Sequence, residues 1–185
     1  NGLSIEIIEK LSNGGIKVKI RWHDYDVNNN VRWCGPIVMY EKIFLKTGNT
    51  ITLDQGLTPT RPCNPITFNG QKVFADPTQF FCKPGSEFRM ETKSKVEIIN
   101  NSSLILDSCT FTIADNAIIK VRKGCTFHIK KGSNLTITGS GKIEVDSGAY
   151  FCVEPGANIN LVDGLSSINL HSGYIRGVNP NIFTT

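Results

Sequence analysis

The side chains that could do chemistry are thinly spread along this chain. It contains six cysteines, three histidines and 16 acidic residues, but no Cys-x-x-Cys pair and no His-Glu-x-x-His motif. The spacing therefore predicts neither a structural zinc site nor a zinc protease centre. His23-Asp24-Tyr25-Asp26 offers ligands for a cation, but the three asparagines that follow at Asn28–Asn30 favour a solvated turn.

Bulk properties exclude several partners. The 185 residues carry 20 basic and 16 acidic side chains, for a net charge of +4, and these are spread along the whole length. A nucleic-acid partner would call for a basic arm or stripe, so we expect none. No stretch approaches the roughly 18 apolar residues of a membrane span. Asn1–Lys10 lacks the pattern of a signal peptide, and we interpret it as a processed end or a boundary with upstream domains.

An eight-residue repeat is the strongest signal in the sequence. Pairs of apolar residues separated by one residue recur, mostly at steps of eight, along the second half of the chain. The first members of the pairs are Phe80, Phe88, Val96, Leu104, Phe111, Ile119, Phe127, Leu135, Ile143, Phe151, Ile159 and Ile168. Alternation of apolar and polar residues is the pattern of a half-buried strand and excludes a helix.

Turn-forming and small residues separate the predicted strands. Three residues before a pair the chain often has glycine or asparagine, which accept the positive φ of a tight bend. These residues are Gly85, Asn101, Asn116, Gly124, Gly132, Gly148 and Gly156. Two residues before a pair lies a small side chain that we expect to point inward. These are Ser86, Ser94, Ser102, Cys109, Ala117, Cys125, Ser133, Gly141, Ala149, Ala157 and Ser166.

Strands joined by corners this short leave no room for crossover helices, so the chain must coil. Three repeats make a turn of about 24 residues, in which Phe127 lies between Leu104 and Phe151 on adjacent coils. The predicted fold is an all-β, right-handed parallel β-helix, also called a β-solenoid, with three strands in each coil. The apolar pairs form its core.

Outward-facing charges favour three strands per coil over two. In the 24-residue register the signs of the charges alternate along two outer columns, which is favourable in a parallel ladder. A two-strand coil of 16 residues would instead stack Lys83 on Ile99 and lose that order. The two columns are Lys83, Asp107, Lys130 and Glu154, and Glu97, Lys120 and Glu144.

The ends of the chain are less regular than its middle. Residues 1–35 are predicted to form an N-terminal β-hairpin cap or linker, with a turn at Ser12–Gly15. The solenoid is expected over residues 36–178 and a tail without pattern over residues 179–185. The hairpin either caps the first coil or belongs to a preceding domain.

The first part of the predicted solenoid contains weaker repeats. Ile43, Ile51 and Ile66 each begin an apolar pair, which predicts one or two irregular coils. Asp54 to Pro65 contains two further prolines and is predicted to be a loop outside the coil.

One outer column is unusually apolar and is the predicted contact surface. It consists of Phe81, Ile105, His128 and Cys152. We expect it to be covered by the N-terminal hairpin or by a partner. His128 and Cys152, with Asp107 nearby, offer ligands for a soft metal, but one histidine and one cysteine fall short of a standard site. We therefore predict no metal and no cofactor.

The cysteines are predicted to play structural roles. Cys109 and Cys125 occupy small inward corners and are expected to be buried free thiols that face no other cysteine. Cys34 and Cys63 lie in irregular segments, and the sequence leaves open whether they are bridged. Asp107-Ser108-Cys109 is similar to a short O-glycosylation acceptor of Bacteroidota, with Ser108 as the acceptor, although an unmodified corner is the simpler interpretation.

The repeats resemble a known kind of region. The stretch CTFHIKKGSNLTITGSGKIEVDSGAYFCVEPGANINL is similar to C-terminal solenoid regions of secreted and surface proteins of Bacteroidota. GLSIEIIEKLSNGGIKVKIRW followed by VRWCGPI resembles the stretch that joins such a solenoid to an upstream domain, in some cases a secreted zinc metalloprotease. The resemblance implies an exported accessory region, secreted or on the cell surface.

These observations favour a binding or structural module over an enzyme. The outer carboxylates alternate with lysines instead of converging on one face, as a β-helix lyase or hydrolase would require. Our first hypothesis is a non-catalytic spacer of a larger exported bacterial protein, with upstream domains of the same polypeptide as partners. The second is an adhesin-like module that binds a glycan or a host surface protein. The third is an accessory C-terminal region of a secreted metalloprotease.

Overall fold

A computed structural model describes the chain. Its described backbone covers residues 3–10, 16–22, 24–34, 37–54, 66–68, 71–73, 79–162, 167–171, 174–176 and 183–184. Side chains are described for residues 24–34, 37–54, 79–162 and 167–171. This part of the chain contains no helix long and apolar enough to cross a membrane.

Short strands follow one another along the described backbone. Their bounds are β1 Leu3–Lys10, β2 Ile16–Trp22, β3 Tyr25–Val27, β4 Val31–Trp33, β5 Ile37–Met39, β6 Lys42–Leu45, β7 Thr50–Asp54, β8 Ile66–Phe68, β9 Gln71–Val73, β10 Gln79–Cys82, β11 Glu87–Met90, β12 Lys95–Ile99, β13 Ser103–Leu106, β14 Thr110–Ile113, β15 Ile118–Val121, β16 Thr126–Ile129, β17 Asn134–Ile137, β18 Lys142–Val145, β19 Tyr150–Val153, β20 Asn158–Leu161, β21 Ser167–Leu170, β22 Tyr174–Arg176 and β23 Phe183–Thr184. Most have four residues, because a corner interrupts each octad.

Three parallel sheets enclose one apolar core. The first sheet contains β3, β6, β11, β14, β17, β20 and β23; the second contains β4, β7, β12, β15, β18 and β21; the third contains β5, β10, β13, β16, β19 and β22. Along the chain, successive solenoid strands enter the first, second and third sheet in turn, with about 24 residues in each coil. The protein is therefore a β-solenoid with three strands per coil, as predicted.

The predicted register is confirmed in all three sheets. Phe127 pairs with Leu104 on one side and with Phe151 on the other. In the other two sheets, Phe111 pairs with Leu135 and Ile119 with Ile143. Both members of each apolar pair from Phe80 to Val153 are almost fully buried. Each such side chain contributes about 1.5 to 3 kcal/mol on burial.

The corners have the predicted geometry. All seven glycine and asparagine residues expected at the bends have a positive φ. The small residues that follow them are buried from Ser86 to Ala157, and Ser166 lies outside the described residues. Lys93, Asn100 and Ser108 also adopt a positive φ. Lysine and serine rarely do so, and Asn100 lies one residue before the predicted bend position.

The solenoid extends beyond the expected bounds at both ends. The hairpin is confirmed, since β1 and β2 pair antiparallel with Leu3 opposite Trp22. However, β3 and β4 pair in parallel with β6 and β7, although they lie within the predicted cap or linker 1–35. Tyr25 and Asp26 therefore belong to a strand, and the prediction of a solvated turn there is wrong. At the other end, β23 lies in the predicted tail and pairs in parallel with β20.

The second coil carries an insertion between β7 and β10. Ile66 does not begin a coil strand as predicted, because β8 and β9 pair antiparallel as a small hairpin, with Ile66 opposite Val73. Asp54 is the last residue of β7 and is fully buried, so its assignment to the loop 54–65 is wrong. Residues 55–65 lie outside the described part of the chain.

Candidate interaction surface

The four residues of the predicted contact surface form one column on the third sheet. Phe81 pairs with Ile105, Ile105 with His128, and His128 with Cys152. All four side chains are partly exposed. The same column begins with Val38, which is 45% exposed, next to Phe81. Adjacent strands in a sheet are about 4.8 Å apart, so these side chains form a continuous stripe.

Charged groups border this stripe. The ammonium nitrogen of Lys83 lies 5.1 Å from the centroid of the Phe81 ring, which is cation–π geometry. The Nε2 atom of His128 lies 3.0 Å from Oε1 of Glu154. The predicted soft-metal ligands therefore include a histidine already held by a carboxylate. Within the described ranges no cluster of three histidine, cysteine or acidic side chains is arranged to bind a metal ion.

A tyrosine column flanks the stripe on the same sheet. Tyr150 pairs with Tyr174 on the next coil, and the Tyr150 side chain is 36% exposed. The sequence analysis did not predict this pair of tyrosines. Their alignment follows from the 24-residue coil, which brings position 150 beside position 174.

The second sheet carries a network of ion pairs. Arg122 donates from Nη2 and Nε to Oε1 of Glu97, at 2.7 and 2.9 Å, and from Nη1 to Asp146 at 3.1 Å. It thus links three successive coils. Burial raises the pKa of Glu97, but hydrogen bonds from Lys95 and Arg122 outweigh this and lower it overall. Arg122 was missed by the sequence analysis, because it follows the apolar pair instead of lying within it.

Only part of the predicted charge ladder forms as expected. Lys120 pairs with Glu144 at 2.9 Å, whereas Glu97 pairs with Lys95 at 2.7 Å and with Arg122. The other column keeps Asp107 between two lysines. Asp107 lies 3.2 Å from Lys83 and 3.9 Å from Lys130.

Glu144 has the most strongly shifted carboxyl group on this face. Lys142 and Lys120 both contact it, at 2.8 and 2.9 Å. Their hydrogen bonds lower the pKa of Glu144 to about 2, against the opposing effect of partial burial. The group is therefore an ionised partner for lysine at neutral pH.

The first sheet presents a surface without charge over three coils. Its outward side chains are hydroxyls and amides, and most are exposed or partly exposed. They are Thr110, Thr112, Asn134, Thr136, Asn158 and Asn160. Nδ2 of Asn158 donates to Oδ1 of Asn134 at 2.9 Å. We call this surface the neutral face.

A buried carboxylate lies where the chain leaves the second coil. The Asp54 side chain is fully buried, and Nε of Arg32 lies 3.1 Å from its Oδ2 atom. Nδ2 of Asn100 donates to Oδ1 at 2.8 Å. A buried carboxylate requires such partners. Sequence reasoning missed this cluster, since it joins residues that are far apart in the chain and outside the repeat.

The cysteines fall into two groups. Cys34 is disulfide-bonded, while Cys82, Cys109 and Cys125 are free thiols. Cys109 and Cys125 are buried as predicted. The expectation that Cys109 faces no other cysteine is wrong, because Cys82 lies close enough to lower its pKa. Cys63 lies outside the described residues.

Ser108 occupies an exposed corner with a φ of 55°. Its hydroxyl donates to the carbonyl of Lys131 at 3.1 Å, and its N–H donates to Oγ of Ser133 at 2.9 Å. These contacts give the corner a structural role. Glycosylation of Ser108 stays a prediction.

The fold and the three faces define a β-solenoid with one ion-paired, one partly apolar and one neutral face. No protein-family model, curated protein or solved structure matches the chain.

Proposed function

We propose that this chain is a non-catalytic structural module, a rigid spacer within a larger exported or cell-surface bacterial protein. The observation that carries the proposal is the register of the three sheets, which runs without a slip from β10 to β19. Each coil contacts only its neighbours, so the length of a solenoid is set by the number of coils. Such a body holds attached domains at a fixed separation.

The state of the outer carboxylates supports a structural role. Glu97, Glu144 and Asp107 each contact two basic side chains. Glu154 accepts from the Lys131 N–H at 3.0 Å and contacts His128. General acid–base catalysis requires carboxyl groups whose pKa lies near the working pH. In contrast, the contacts of Glu144 lower its pKa to about 2.

Export is supported by the disulfide at Cys34. Disulfides persist in oxidising compartments and are rare in the cytosol of most organisms. This agrees with the resemblance of the repeats to solenoid regions of secreted and surface proteins of Bacteroidota. An upstream domain of the same polypeptide is the partner that this proposal implies.

Rigidity can be tested by a spin-label distance measurement. Labels are attached to cysteines introduced by Asn28→Cys and Asn160→Cys, in a Cys152→Ser background. These exposed positions flank the first sheet, five strand spacings apart. At about 4.8 Å per strand, and with a small offset along the strands, the backbones are roughly 25 Å apart. We expect one narrow distance distribution.

The same pair of labels provides the control and the contrary outcome. In denaturant the distribution should broaden and move to longer distances. A broad distribution under native conditions, or a second population at another distance, would contradict a rigid spacer.

A second candidate function is adhesin-like binding of a neutral glycan, which we place on the neutral face. The hydroxyls of Thr112 and Thr136 form no side-chain hydrogen bond within the described part of the chain. They therefore offer donors and acceptors at the strand spacing. A nucleic acid would require cations on this face, and a protein interface would favour an apolar centre. A neutral glycan, which is rich in hydroxyl groups and carries no charge, best fits the residues of the neutral face.

Binding to suspensions of β-glucan, chitin and mannan tests this candidate. Thr112→Val with Thr136→Val removes two hydroxyls at constant shape and should weaken binding by about tenfold, at roughly 0.7 kcal/mol for each hydrogen bond. Thr126→Val makes the same change on the third sheet and should leave binding unaltered. No depletion of the unmodified protein by any of the three glycans would refute the candidate and leave the spacer proposal standing.

A further inference from the structure

Two of the free thiols meet inside the core. Cys82 ends β10 and pairs with Leu106 on the next coil, and Cys109 lies at the corner that follows Leu106. The N–H of Asp107 donates to the carbonyl of Cys82 at 2.8 Å, so the two backbones are adjacent. Cys82 and Cys109 are 0% and 2% exposed. Each thiol shifts the pKa of the other, so the two side chains are close neighbours.

We propose that Cys82 and Cys109 form a second intrachain disulfide when the protein folds in an oxidising compartment, and that this bond joins two successive coils. The inference rests on the export part of the proposed function. Cys82 belongs to the second coil and Cys109 to the end of the third. A bridge here would tie the coil that carries the insertion to the first of the regular coils.

The two thiols affect each other's protonation in the folded core. The neighbouring Cys82 thiol lowers the pKa of Cys109. Burial raises the pKa of Cys82 well above its usual range. Before the core closes these shifts do not apply, and the thiolate of either cysteine can be the nucleophile in disulfide exchange.

The oxidant is a disulfide of low molecular weight, such as oxidised glutathione. The thiolate of either cysteine, for example Cys109, attacks one of its sulfur atoms, forming a mixed disulfide and releasing one small thiolate. That thiolate takes the proton of Cys82, whose sulfur then attacks the Cys109 sulfur and expels the second small thiolate. Two protein thiols are oxidised, and one small disulfide is reduced to two thiols. Because both residues are buried once folded, the exchange occurs while the core is still open.

Cys125 provides a matched control within the same fold. It occupies the same kind of inward corner, is fully buried, and donates weakly to the carbonyl of Lys123 at 3.9 Å. Its neighbours in the stack, Ser102 and Ala149, offer no sulfur. Burial raises its pKa. We therefore expect Cys125 to stay reduced under the conditions that oxidise the pair.

The experiment compares protein refolded in a glutathione redox buffer with protein refolded under full reduction. Free thiols are alkylated in denaturant, and the digest is mapped by mass spectrometry without reduction. We expect a peptide that links Cys82 to Cys109 in the oxidised sample alone. Cys82→Ser and Cys109→Ser should each remove it, and Cys125→Ser should not. The bridged form should also unfold at a higher temperature than Cys82→Ser.

Cys34 reports on the oxidising conditions in the same digest. If Cys34 is bridged while Cys82 and Cys109 are both alkylated in folded protein, the second disulfide is refuted and the export proposal is unaffected. Export has its own test, which is mapping protein isolated from its native cells. Cys34 found fully alkylated there would count against export, whatever the refolded sample shows.

Discussion

The rings of Phe88 and Phe111 lie parallel on adjacent coils of the first sheet, with centroids 4.6 Å apart and an angle of 3° between their planes. Both side chains are almost fully buried. The stack arises because the coil length brings one aromatic residue directly over the next. The column continues with Leu135 in place of a ring, so the interior accepts a change of shape at this level.

Phe111→Ala should lower the free energy of unfolding by about 3 to 5 kcal/mol, since it removes one of the two stacked rings. Phe111→Leu should cost less than about 1.5 kcal/mol, because leucine already occupies the next position of the column. Urea denaturation measures both. Thr112→Ala, at the outward neighbour, is the control. A loss for Phe111→Leu as large as that for Phe111→Ala would show that the stacked ring itself, and not the filled volume, stabilises this level, and would contradict the prediction.

Ser102→Ala should stabilise the protein by about 1 kcal/mol. The Ser102 hydroxyl is buried and has no hydrogen-bond partner among the described residues, and a buried unpaired hydroxyl is costly. Ser94→Ala is the matched control and should destabilise, because Oγ of Ser94 donates to the carbonyl of Glu91 at 2.6 Å. The midpoints of thermal unfolding of the two variants should therefore shift in opposite directions. A loss of stability in Ser102→Ala would indicate a bond supplied by solvent.

Glu144→Gln should lower stability at neutral pH by about 1 kcal/mol, the scale of a partly exposed ion pair. The folded-state pKa of about 2 lies below the unfolded value of roughly 4.3. The stabilisation is therefore complete above about pH 4.3 and is lost as the pH falls towards 2. Denaturation curves of both proteins should converge over that range.

Glu87→Gln is the matched control for the pH experiment. Glu87 is 34% exposed and has a lysine partner at 3.5 Å. Removing its charge should therefore lower stability less than removing the charge of Glu144. A difference between Glu144→Gln and the unmodified protein that stays constant from pH 7 to pH 2 would argue against the two lysine contacts.

Gly139→Ala should lower the free energy of unfolding more than Gly85→Ala does. Both glycines have a positive φ, of 57° and 82°, which costs alanine about 1 kcal/mol or more. A Cβ at Gly85 would meet nothing within 4 Å, whereas one at Gly139 would lie 2.8 Å from Cβ of Asp115. The resulting shift would also disturb the Asp115 side chain, which accepts from Ser140 at 2.8 and 2.9 Å. Chemical denaturation should give the lower free energy of unfolding for Gly139→Ala. Equal values for the two variants would show that the contact with Asp115 does not destabilise the protein.

The repeat explains why so much of the fold could be predicted. Alternation fixes which side chains point inward, and the small residue before each pair marks the corner, so Phe127 could be placed between its neighbours from spacing alone. The alignment of Phe81, Ile105, His128 and Cys152 followed from the same spacing.

The features that the sequence analysis missed are contacts between residues that are not paired in the sheet register. Cys82 and Cys109 are diagonal neighbours at a corner. The 24-residue spacing identifies neighbours along a column, so it does not bring these two cysteines together. Arg122 reaches one strand spacing in each direction, to Glu97 on one adjacent coil and to Asp146 on the other, because its side chain is long. β3 and β4 have three residues each and are separated by polar residues, so their pairing with later coils outweighs a weak local pattern.

The hairpin of β8 and β9 is inserted between two strands that occupy consecutive faces of one coil, yet β10 keeps its pairing with both β5 and β13. Elsewhere a corner of a few residues makes the same connection. A scaffold of this kind can gain new segments at its corners without repacking its interior. Foreign peptides grafted between β8 and β9 should therefore be displayed by an unchanged framework, which makes this solenoid a candidate carrier for engineered recognition loops.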